Sequence, residues 1–331
     1  MTVRRILVIK LGALGDFVHA CHAFAAIRAH HAADHVTLLT TPPLRDLGKI
    51  APWFDAVRLD PRAPWWDLPA IRRTTHLIGG FDFVYDLQNS RRTRWYFWLA
   101  GRPAWSGETS SRPLLHAKPQ HRLRHTVERQ REQLELAGIA KFPQPGHDWL
   151  AERGDQHGLI QPYALLMPGG AGVGAVKRWP VSDWATLARH LVQRGITPVI
   201  IGGPPETDLA VAIRRACRET IDLTATSLPD IAAIAAKADV AVGNDTGPLH
   251  LAAFVGTPTA VLFSRAGVPA QLAPRGPGGE WPVVLQEPDL AKLSAERVIA
   301  AIDAVLARSG LGIGQAEPSD LSSLAQRPGG C

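Results

Sequence analysis

The chain is poor in cysteine and has no long apolar run. Three cysteines occur among 331 residues, at positions 21, 217 and 331. None lies in a CxxC pair, which excludes a zinc knuckle and a disulfide framework. No apolar stretch approaches the ~20 residues needed to span a bilayer. The apolar run 6–9 follows Arg4 and Arg5 but stops at Lys10. We therefore expect a buried first strand rather than a signal peptide, and a cytoplasmic protein.

An acidic balance is also lacking. Lysine and arginine total 36 against 30 aspartates and glutamates, which gives a net charge of +6 and a pI near 9.5. Lysine contributes just 7 of the 36, so arginine carries most of the positive charge. This balance favours acidic partners such as phosphates, anionic lipid headgroups or nucleic acid, and is equally compatible with a solvated basic surface.

Short apolar runs alternate with helical patterns along the whole chain. The first half contains the predicted strands RRILVIKL, HVTLLTT, AVRLD and FVYDLQ, with a helical pattern over 17–30. The second half contains YALLMPG, TPVIIGG, TIDLTA, VAVGND and TAVLFS, with helices predicted near 182–194, 206–218, 228–237 and 247–255. Such alternation predicts an α/β protein with parallel sheets in two Rossmann-like halves.

A segment rich in proline, glycine and charge, KFPQPGHDWLAERGDQHGLIQP, separates the two series. Such composition is typical of linkers. We therefore predict an N-terminal domain over 1–150 and a C-terminal domain over 151–308, closed by a helix from about 294 to 308. The remaining residues, 309–331, lack periodicity and are predicted to be a disordered tail.

The first chemical motif is KLGALGD, from Lys10 to Asp16, with His19 one turn later. Gly12 and Gly15 fall where the first strand turns into a helix, as in nucleotide-binding loops. The spacing is not GxGxxG, which argues against a dinucleotide site. Asp16 has two interpretations: it caps the helix, or it acts as a general base at the sheet edge.

The second motif is PGGAGVGAVKRWP, from Pro168 to Pro180. A glycine-rich loop followed by Lys177 and Arg178 offers the backbone and the cations that a diphosphate needs. The loop does not satisfy GxxxxGK[ST], so it is not a P-loop. For Trp179 and Pro180 we predict packing and helix initiation.

The strongest motif is VAVGNDTGPLHLAAFVGTP. A buried strand ends at Gly243, and a helix opens with Pro248 in its first turn, where no N–H is needed. The N–H groups and the dipole at such a helix start form an anion site. Capping alone explains Asp245 or Thr246 but not the complete polar set. His250 taken alone is a core or surface histidine.

Two weaker features complete the list. Glu206 in GGPPE follows the second strand of its half, where a carboxylate can hold ribose hydroxyls or simply start a helix. The segment NSRRTRWYFWLAGRPAWSG mixes arginine with aromatics. Without a nucleic-acid-binding motif, an anionic acceptor surface or a partly buried helix is the better interpretation.

Taken together, these segments resemble glycosyltransferase family 9, the bacterial ADP-heptose:lipopolysaccharide heptosyltransferases. The matching pieces are LGALGDFVHA, FDFVYDLQNSRRTRW, PGGAGVGAVKRWP and IDLTATSLPDIAAIAAKADVAVGNDTGPLHLAAFVGTP, which span roughly 4–265. The ordered combination of GDxxH, KRWP and GNDTGPLH is far more specific than any one piece.

The resemblance implies a GT-B fold, in which two Rossmann-like domains face a central cleft. It implies an acceptor on the N-terminal domain, a sugar nucleotide on the C-terminal domain, and inverting transfer without a bound metal or other cofactor. Asp16 matches the catalytic aspartate. The donor-side candidates are Gly170, Lys177, Glu206, Asp245, Thr246, Gly247, Pro248 and His250. The acceptor-side candidates are Lys10, Gly15, His19, Arg91 and Arg92.

The implied partners are a nucleotide sugar and the anionic core of lipopolysaccharide, met at the cytoplasmic face of the inner membrane, with no nucleic acid and no metal. The chain departs from the family after Phe263, where SRAGVPAQLAPRG replaces a Gly-Pro-Thr/Ser stretch, and in its Arg- and Trp-rich helix. Another donor, or another acceptor such as a protein, therefore stays open. The GDxxH and KRWP elements disfavour a sugar-nucleotide epimerase, and the presence of Asp16 and Lys177 argues against the remaining alternative, a non-catalytic nucleotide- or lipid-binding scaffold. A dehydrogenase is disfavoured by the missing dinucleotide fingerprint.

Overall fold

A computed structural model of the chain describes residues 2–108, 124–151, 157–170 and 178–308. Contacts within the chain divide it into two compact units, Met1–Trp149 and Leu150–Cys331. This division falls one residue before the end of the predicted N-terminal domain. The predicted disordered tail, 309–331, lies outside the described residues.

The described residues of the first unit form five strands with helices between them. The strands are β1 (Arg5–Ile9), β2 (His35–Thr40), β3 (Ala56–Leu59), β4 (Phe83–Asp86) and β5 (Trp105–Ser106). The helices are α1 (Leu14–His19), α2 (Cys21–His30), α3 (Arg45–Ile50), α4 (Leu68–Gly79), α5 (Arg91–Leu99), α6 (Thr126–Leu136) and α7 (Asp148–Ala151), which crosses the unit boundary. A 3₁₀ turn, Pro42–Leu44, precedes α3.

All strand pairs of the first sheet are parallel, in the order β3-β2-β1-β4-β5. Residues 6–9 of β1 are fully buried, which confirms the predicted buried first strand. On one face of the sheet, Leu7 and Ile9 pack with Ile71 and Ile78 of α4 and with Phe97 of α5. A parallel sheet covered on both faces explains why its central strands are apolar throughout.

The second unit contains six strands. They are β6 (Tyr163–Met167), β7 (Thr197–Gly202), β8 (Ile221–Thr224), β9 (Val240–Asn244), β10 (Thr259–Phe263) and β11 (Val283–Gln286). The helices are α8 (Val181–Gln193), α9 (Thr207–Ala216), α10 (Leu228–Ala235), α11 (Gly247–Phe254), α12 (Pro269–Leu272) and α13 (Ala295–Arg308), with 3₁₀ turns at Pro204–Glu206 and Leu290–Lys292.

The second sheet is also parallel throughout, in the order β11-β10-β9-β6-β7-β8. Its core joins the buried faces of α8 and α13 to strands β6, β7, β9 and β10. When the strands of each unit are numbered from its own first strand, both sheets have the doubly wound order 3-2-1-4-5. The second sheet has a sixth strand, β8 being its third and β11 its last. The predicted α/β fold with two Rossmann-like, parallel sheets is confirmed.

One helix and two strands differ from the sequence prediction. The helical pattern over 17–30 forms two helices, because the chain turns at Ala20 between α1 and α2. Strands β5 and β11 were not predicted; β5 is just two residues long, and β11 follows a loop rich in proline and glycine. Trp179 and Pro180 behave as predicted: Trp179 is buried against Trp184, and Pro180 starts α8.

Candidate functional site

Each sheet has a switch point, where the strand order reverses and successive helices leave on opposite faces. In the first sheet it lies between β1 and β4, and in the second between β6 and β9. Ligands of doubly wound folds bind outside the carboxyl ends of the strands at such points. The segments that follow these four strands are 10–16, 87–90, 168–170 and 245–248, and they contain most of the candidate site residues.

Asp16 lies at the third position of α1, in the segment that follows β1. One carboxylate oxygen accepts a hydrogen bond from the backbone N–H of Ala13 at 3.2 Å. The side chain is half-buried, so it caps the helix and still borders solvent. Gly12 has a φ of +126°, a conformation that L side chains rarely adopt, and this lets the backbone turn sharply between β1 and α1.

Lys10 is buried at the end of β1, with 3% of its surface exposed. Its ammonium donates to the carbonyl of Leu87, beyond the end of β4, at 3.1 Å. Burial lowers the pKa of Lys10, whereas the negative charges of Asp16 and Asp86 oppose that shift. The lysine therefore joins the two strands of the switch point and places a cation beside two carboxylates.

Asp86, the last residue of β4, is fully buried. Burial raises the pKa of Asp86 to about 6, although hydrogen bonds and the charge of Lys10 oppose the shift. One carboxylate oxygen accepts from the backbone N–H groups of Gln88 and Asn89, both at 3.0 Å. No sequence motif singles out Asp86, because its burial follows from the pairing of β4 with β1 and β5.

Two glutamines tie the loop after β4 to its surroundings. The side-chain oxygen of Gln88 accepts from the N–H of Leu11 at 2.9 Å, in the same segment as Asp16. Gln133 of α6 accepts from the amide of Asn89 at 2.9 Å and donates to the carbonyl of Asp86 at 3.0 Å. The two loops of the first switch point are thus held together by buried hydrogen bonds.

The other acceptor-side candidates occupy different positions in the first unit. Gly15 lies in the first turn of α1, next to Asp16. His19 is buried at the end of α1, with its ring 4.7 Å from that of His125. Arg91 is exposed at the first position of α5. Arg92 is engaged within the unit, because its guanidinium donates to the carbonyl of Ala63 and to the Tyr96 hydroxyl, both at 2.9 Å.

The second switch point has a different composition. Asn244 ends β9 and is almost fully buried, and its amide donates to the carbonyls of Pro168 and Gly169 after β6, at 2.9 and 3.1 Å. Thr246 is the N-cap of α11, followed by Gly247 and Pro248 in the first turn. In this first turn Pro248 has no N–H, and the N–H groups of Leu249 and His250 donate to the carbonyl of Thr246, at 3.2 and 3.3 Å. The N–H of Gly247, the first residue of α11, points out of the helix start.

Two polar oxygen atoms next to this helix start are buried without a hydrogen bond to any described residue. They are the side-chain oxygen of Asn244 and the hydroxyl of Thr246. An unbonded buried hydroxyl costs roughly 1–3 kcal/mol. The Thr246 hydroxyl can donate to a ligand oxygen, and together with the N–H of Gly247 and the helix dipole it suits an anionic ligand. His250 is buried one turn into α11, with Nε2 3.3 Å from a carboxylate oxygen of Asp245.

Glu206 lies beside the end of β6. Its carboxylate accepts from the N–H of Gly203 at 2.8 Å, so it caps the 3₁₀ turn after β7. A methyl group on Gly169 would lie 2.9 Å from Cγ of Glu206. Because residue 169 is a glycine, there is enough space for the Glu206 side chain to lie close to the loop that contains Gly170.

A small pocket, open to solvent, lies at the second switch point. Its lining combines residues after β6 and at the end of β9 with residues that end or follow β10: Gly170, Asn244, Asp245, Leu262, Phe263, Ser264 and Gly267. The last three belong to or adjoin the segment in which the sequence departs from the family pattern. Their place beside Asp245 follows from the pairing of β10 with β9, which sequence periodicity does not reveal.

Lys177, a predicted donor-side residue, lies outside the described residues. Among the residues that the structure does describe, no group of three histidines, cysteines, aspartates or glutamates is arranged to hold a metal ion. Over the same residues, no helix has the length and hydropathy of a membrane span. Cys21 and Cys217 are buried free thiols.

Comparisons with known proteins agree with this fold. The family model described as "Glycosyltransferase family 9 (heptosyltransferase)" matches residues 72–274. Lipopolysaccharide heptosyltransferase 1 of Pseudomonas aeruginosa is 26% identical over 283 residues, which cover 78% of each chain. A family 9 glycosyltransferase structure from Veillonella parvula superposes with a TM-score of 0.77 at 21% identity, over 92% of this chain and 97% of that one.

The structure of ADP-heptose lps heptosyltransferase II from E. coli superposes with a TM-score of 0.73 at 20% identity, over 92% of this chain and 99% of that one. At these identities the two structures support the fold alone. The family match covers more than half of the sequence. The chain belongs to glycosyltransferase family 9, the heptosyltransferases.

Proposed function

We propose that the protein is an inverting heptosyltransferase that moves heptose from ADP-heptose to the inner core of lipopolysaccharide. The observation that carries this proposal is the position of the family motifs. Asp16 lies in the segment after β1, at the switch point of the first sheet. The Asn244–His250 segment begins with the last residue of β9, at the switch point of the second sheet. Heptose and lipopolysaccharide are supported by the names of the matched relatives, a lipopolysaccharide heptosyltransferase and an ADP-heptose lps heptosyltransferase.

In this proposal Asp16 is the catalytic base. Its half-buried carboxylate takes the proton of the acceptor hydroxyl as that oxygen attacks the anomeric carbon. Attack from the face opposite the leaving group inverts the configuration at that carbon. Lys10, Gly15 and His19 shape the acceptor side, and Arg91 offers an exposed cation to an anionic acceptor.

The leaving ADP carries the negative charge that develops in the reaction. The helix start meets that charge with the backbone N–H groups of Thr246 and Gly247 and with the helix dipole, and Pro248 fixes the first turn. Lys177 supplies a further cation, as the family resemblance implies, so the step needs no metal or other cofactor. Gly170 and Asp245 border the pocket for the donor, His250 orients Asp245, and Glu206 holds ribose hydroxyls.

A second function within the same class is transfer from another nucleotide sugar, or to another acceptor such as a protein. The observation that favours it is the lining of the pocket by Ser264 and Gly267, which lie in the segment that departs from the family pattern. A changed lining beside Asp245 alters the shape of the pocket that would hold the sugar or the nucleobase of the donor.

A panel of nucleotide sugars tests these alternatives. We expect ADP-heptose to raise the melting temperature and to release ADP when a lipopolysaccharide-core acceptor is present, since a bound ligand stabilises the folded state. Stabilisation by UDP- or GDP-sugars alone would rule out ADP-heptose as the donor. Binding without nucleotide release on any acceptor would instead identify a non-catalytic nucleotide-binding protein. Proton NMR of the product reports the anomeric configuration.

A further inference from the structure

We propose that the outer face of α4 and α5 is a docking surface for an anionic phospholipid bilayer. The surface is centred on an aromatic patch, defined here as Trp65, Trp66, Leu68, Trp95 and Leu99. These side chains are 42%, 83%, 64%, 52% and 52% exposed, respectively. They represent five of the twelve large apolar side chains that are exposed in the described part of the chain. Scattered exposed apolar residues are ordinary, but a cluster of this size marks an interaction surface.

The patch is one continuous surface. The rings of Trp65 and Trp95 lie 6.3 Å apart in an edge-to-face arrangement, so the segment before α4 contacts α5. Trp95 and Leu99 are four residues apart on α5 and share a helix face. Trp66 and Leu68 continue the patch along the chain into α4. The opposite sides of both helices are buried in the core of the first unit.

Arginines surround the patch. The segment 91–102, RRTRWYFWLAGR, contains four arginines and no acidic residue. Arg72 lies one turn after Leu68 on the exposed side of α4. The guanidinium of Arg92 lies 4.9 Å from the ring centre of Trp65, and that of Arg102 lies 4.2 Å from the ring centre of Trp98. Cations and indole rings are thus interleaved over the same surface.

The acidic residues of this region are already engaged. Asp67 caps α4 by accepting from the N–H of Ala70, and Asp60 is buried against the hydroxyl of Tyr96. Glu108 lies 3.7 Å from Arg94. The surface therefore presents positive charge together with tryptophan and leucine.

This combination fits a bilayer better than other partners. Tryptophan is enriched at the level of lipid headgroups, and arginine is attracted to anionic lipids. The exposed leucines suit acyl chains and have no counterpart on a nucleic acid backbone. A second copy of the chain would bring the same arginines face to face, because a symmetric dimer apposes identical patches. The bilayer is therefore the occupant that matches both the apolar and the charged parts.

Vesicle sedimentation with the full chain tests the proposal without donor or acceptor, so its outcome is independent of the proposed reaction. We expect binding to vesicles that contain phosphatidylcholine and phosphatidylglycerol, little binding to phosphatidylcholine alone, and release at high salt. Replacing Trp66 by serine is expected to weaken binding about fivefold. Neutralising Arg72 with R72Q is expected to weaken it about fivefold.

Trp281→Ser is the matched control. Trp281 is a 43% exposed tryptophan of the second unit, under the guanidinium of Arg275, and lies outside the patch. Its replacement is expected to leave vesicle binding unchanged. Melting temperatures check that every variant is folded. The proposal is overturned by equal binding to neutral and anionic vesicles, by no binding of the wild type, or by equal losses in Trp66→Ser and Trp281→Ser. Light scattering that shows a wild-type dimer and a Trp66→Ser monomer would assign the patch to self-association instead.

Discussion

The two switch points share one strand topology but differ in chemistry. The first places two buried ionisable groups, Lys10 and Asp86, near the half-buried carboxylate of Asp16. The second places a helix start beside neutral polar atoms of Asn244 and Thr246 that lack hydrogen bonds to described residues. The first arrangement suits proton transfer, and the second suits an anionic ligand. The same strand topology thus presents different chemistry at its two switch points, after the first strand of one sheet and after the fourth strand of the other.

The largest expected effect is on turnover at the first switch point. Asp16→Asn keeps the size of the side chain and an oxygen that can cap Ala13, but removes the base. Turnover is expected to fall about 10²- to 10⁴-fold, the usual range for loss of general base catalysis. The measurement is ADP release from ADP-heptose at saturating donor.

Asp67→Asn is the matched control for that variant, because Asp67 also accepts a backbone N–H at a helix start. It is expected to retain wild-type turnover. If the two variants lose activity to the same extent, Asp16 acts as a helix cap and the comparison between the switch points fails.

The pH dependence of stability tests the burial of Asp86. Its pKa is raised in the folded state to about 6, so the protonated form stabilises the protein and this contribution is lost as the pH rises through that value. Asp86→Asn has no proton to lose. Relative to wild type, the variant is expected to gain about 3 kcal/mol of unfolding free energy between pH 4 and pH 7, at ~1.4 kcal/mol per pKa unit. Urea unfolding across this range measures the difference, and a constant difference would contradict the assigned pKa.

Thr246→Val sharpens the contrast at the second switch point. Valine has nearly the same shape but lacks the hydroxyl, which is buried without a hydrogen bond to the described residues. We expect the ligand-free melting temperature to stay the same or rise. ADP affinity is expected to fall about tenfold, as for loss of a hydrogen bond to a charged group. A clear drop in the ligand-free melting temperature would show that the hydroxyl serves the fold rather than the ligand.

The smallest effect is expected for Gln88, a positioning residue at the first switch point. Gln88→Leu removes the acceptor for the N–H of Leu11, in the segment that contains Asp16. The rate constant kcat is expected to fall about threefold to tenfold, for loss of ~1 kcal/mol of hydrogen bonding, with the donor KM unchanged. Steady-state kinetics separate the two constants. An increased donor KM at constant kcat would place Gln88 with the donor rather than with the base.

Much of the fold follows from sequence patterns. Nine of the eleven strands were predicted, because buried parallel strands read as short apolar runs. The site motifs were found for a related reason: Asp16 and the Asn244–His250 segment directly follow such runs. Strand β5 was not predicted, because a strand of two residues is too short to show a periodic pattern.

The unpredicted part of the site depends on tertiary contacts. The burial of Asp86 results from strands on both sides of β4, and the hydrogen bond from Leu11 to Gln88 spans 77 positions of the chain. Ser264 and Gly267 reach Asp245 through the pairing of β10 with β9. Local composition contains no signal for such contacts. The roles of all the predicted site residues stay predictions, and Lys177 lies outside the described residues.

Calorimetric titration of ADP into the wild type, Asp16→Asn and Thr246→Val tests the division of tasks most directly. We expect the wild type and Asp16→Asn to have the same dissociation constant for ADP, within about twofold. The constant for Thr246→Val is expected to be about tenfold higher. Weaker ADP binding in Asp16→Asn than in Thr246→Val would contradict this expectation, because the nucleotide would then depend on the first switch point rather than the second.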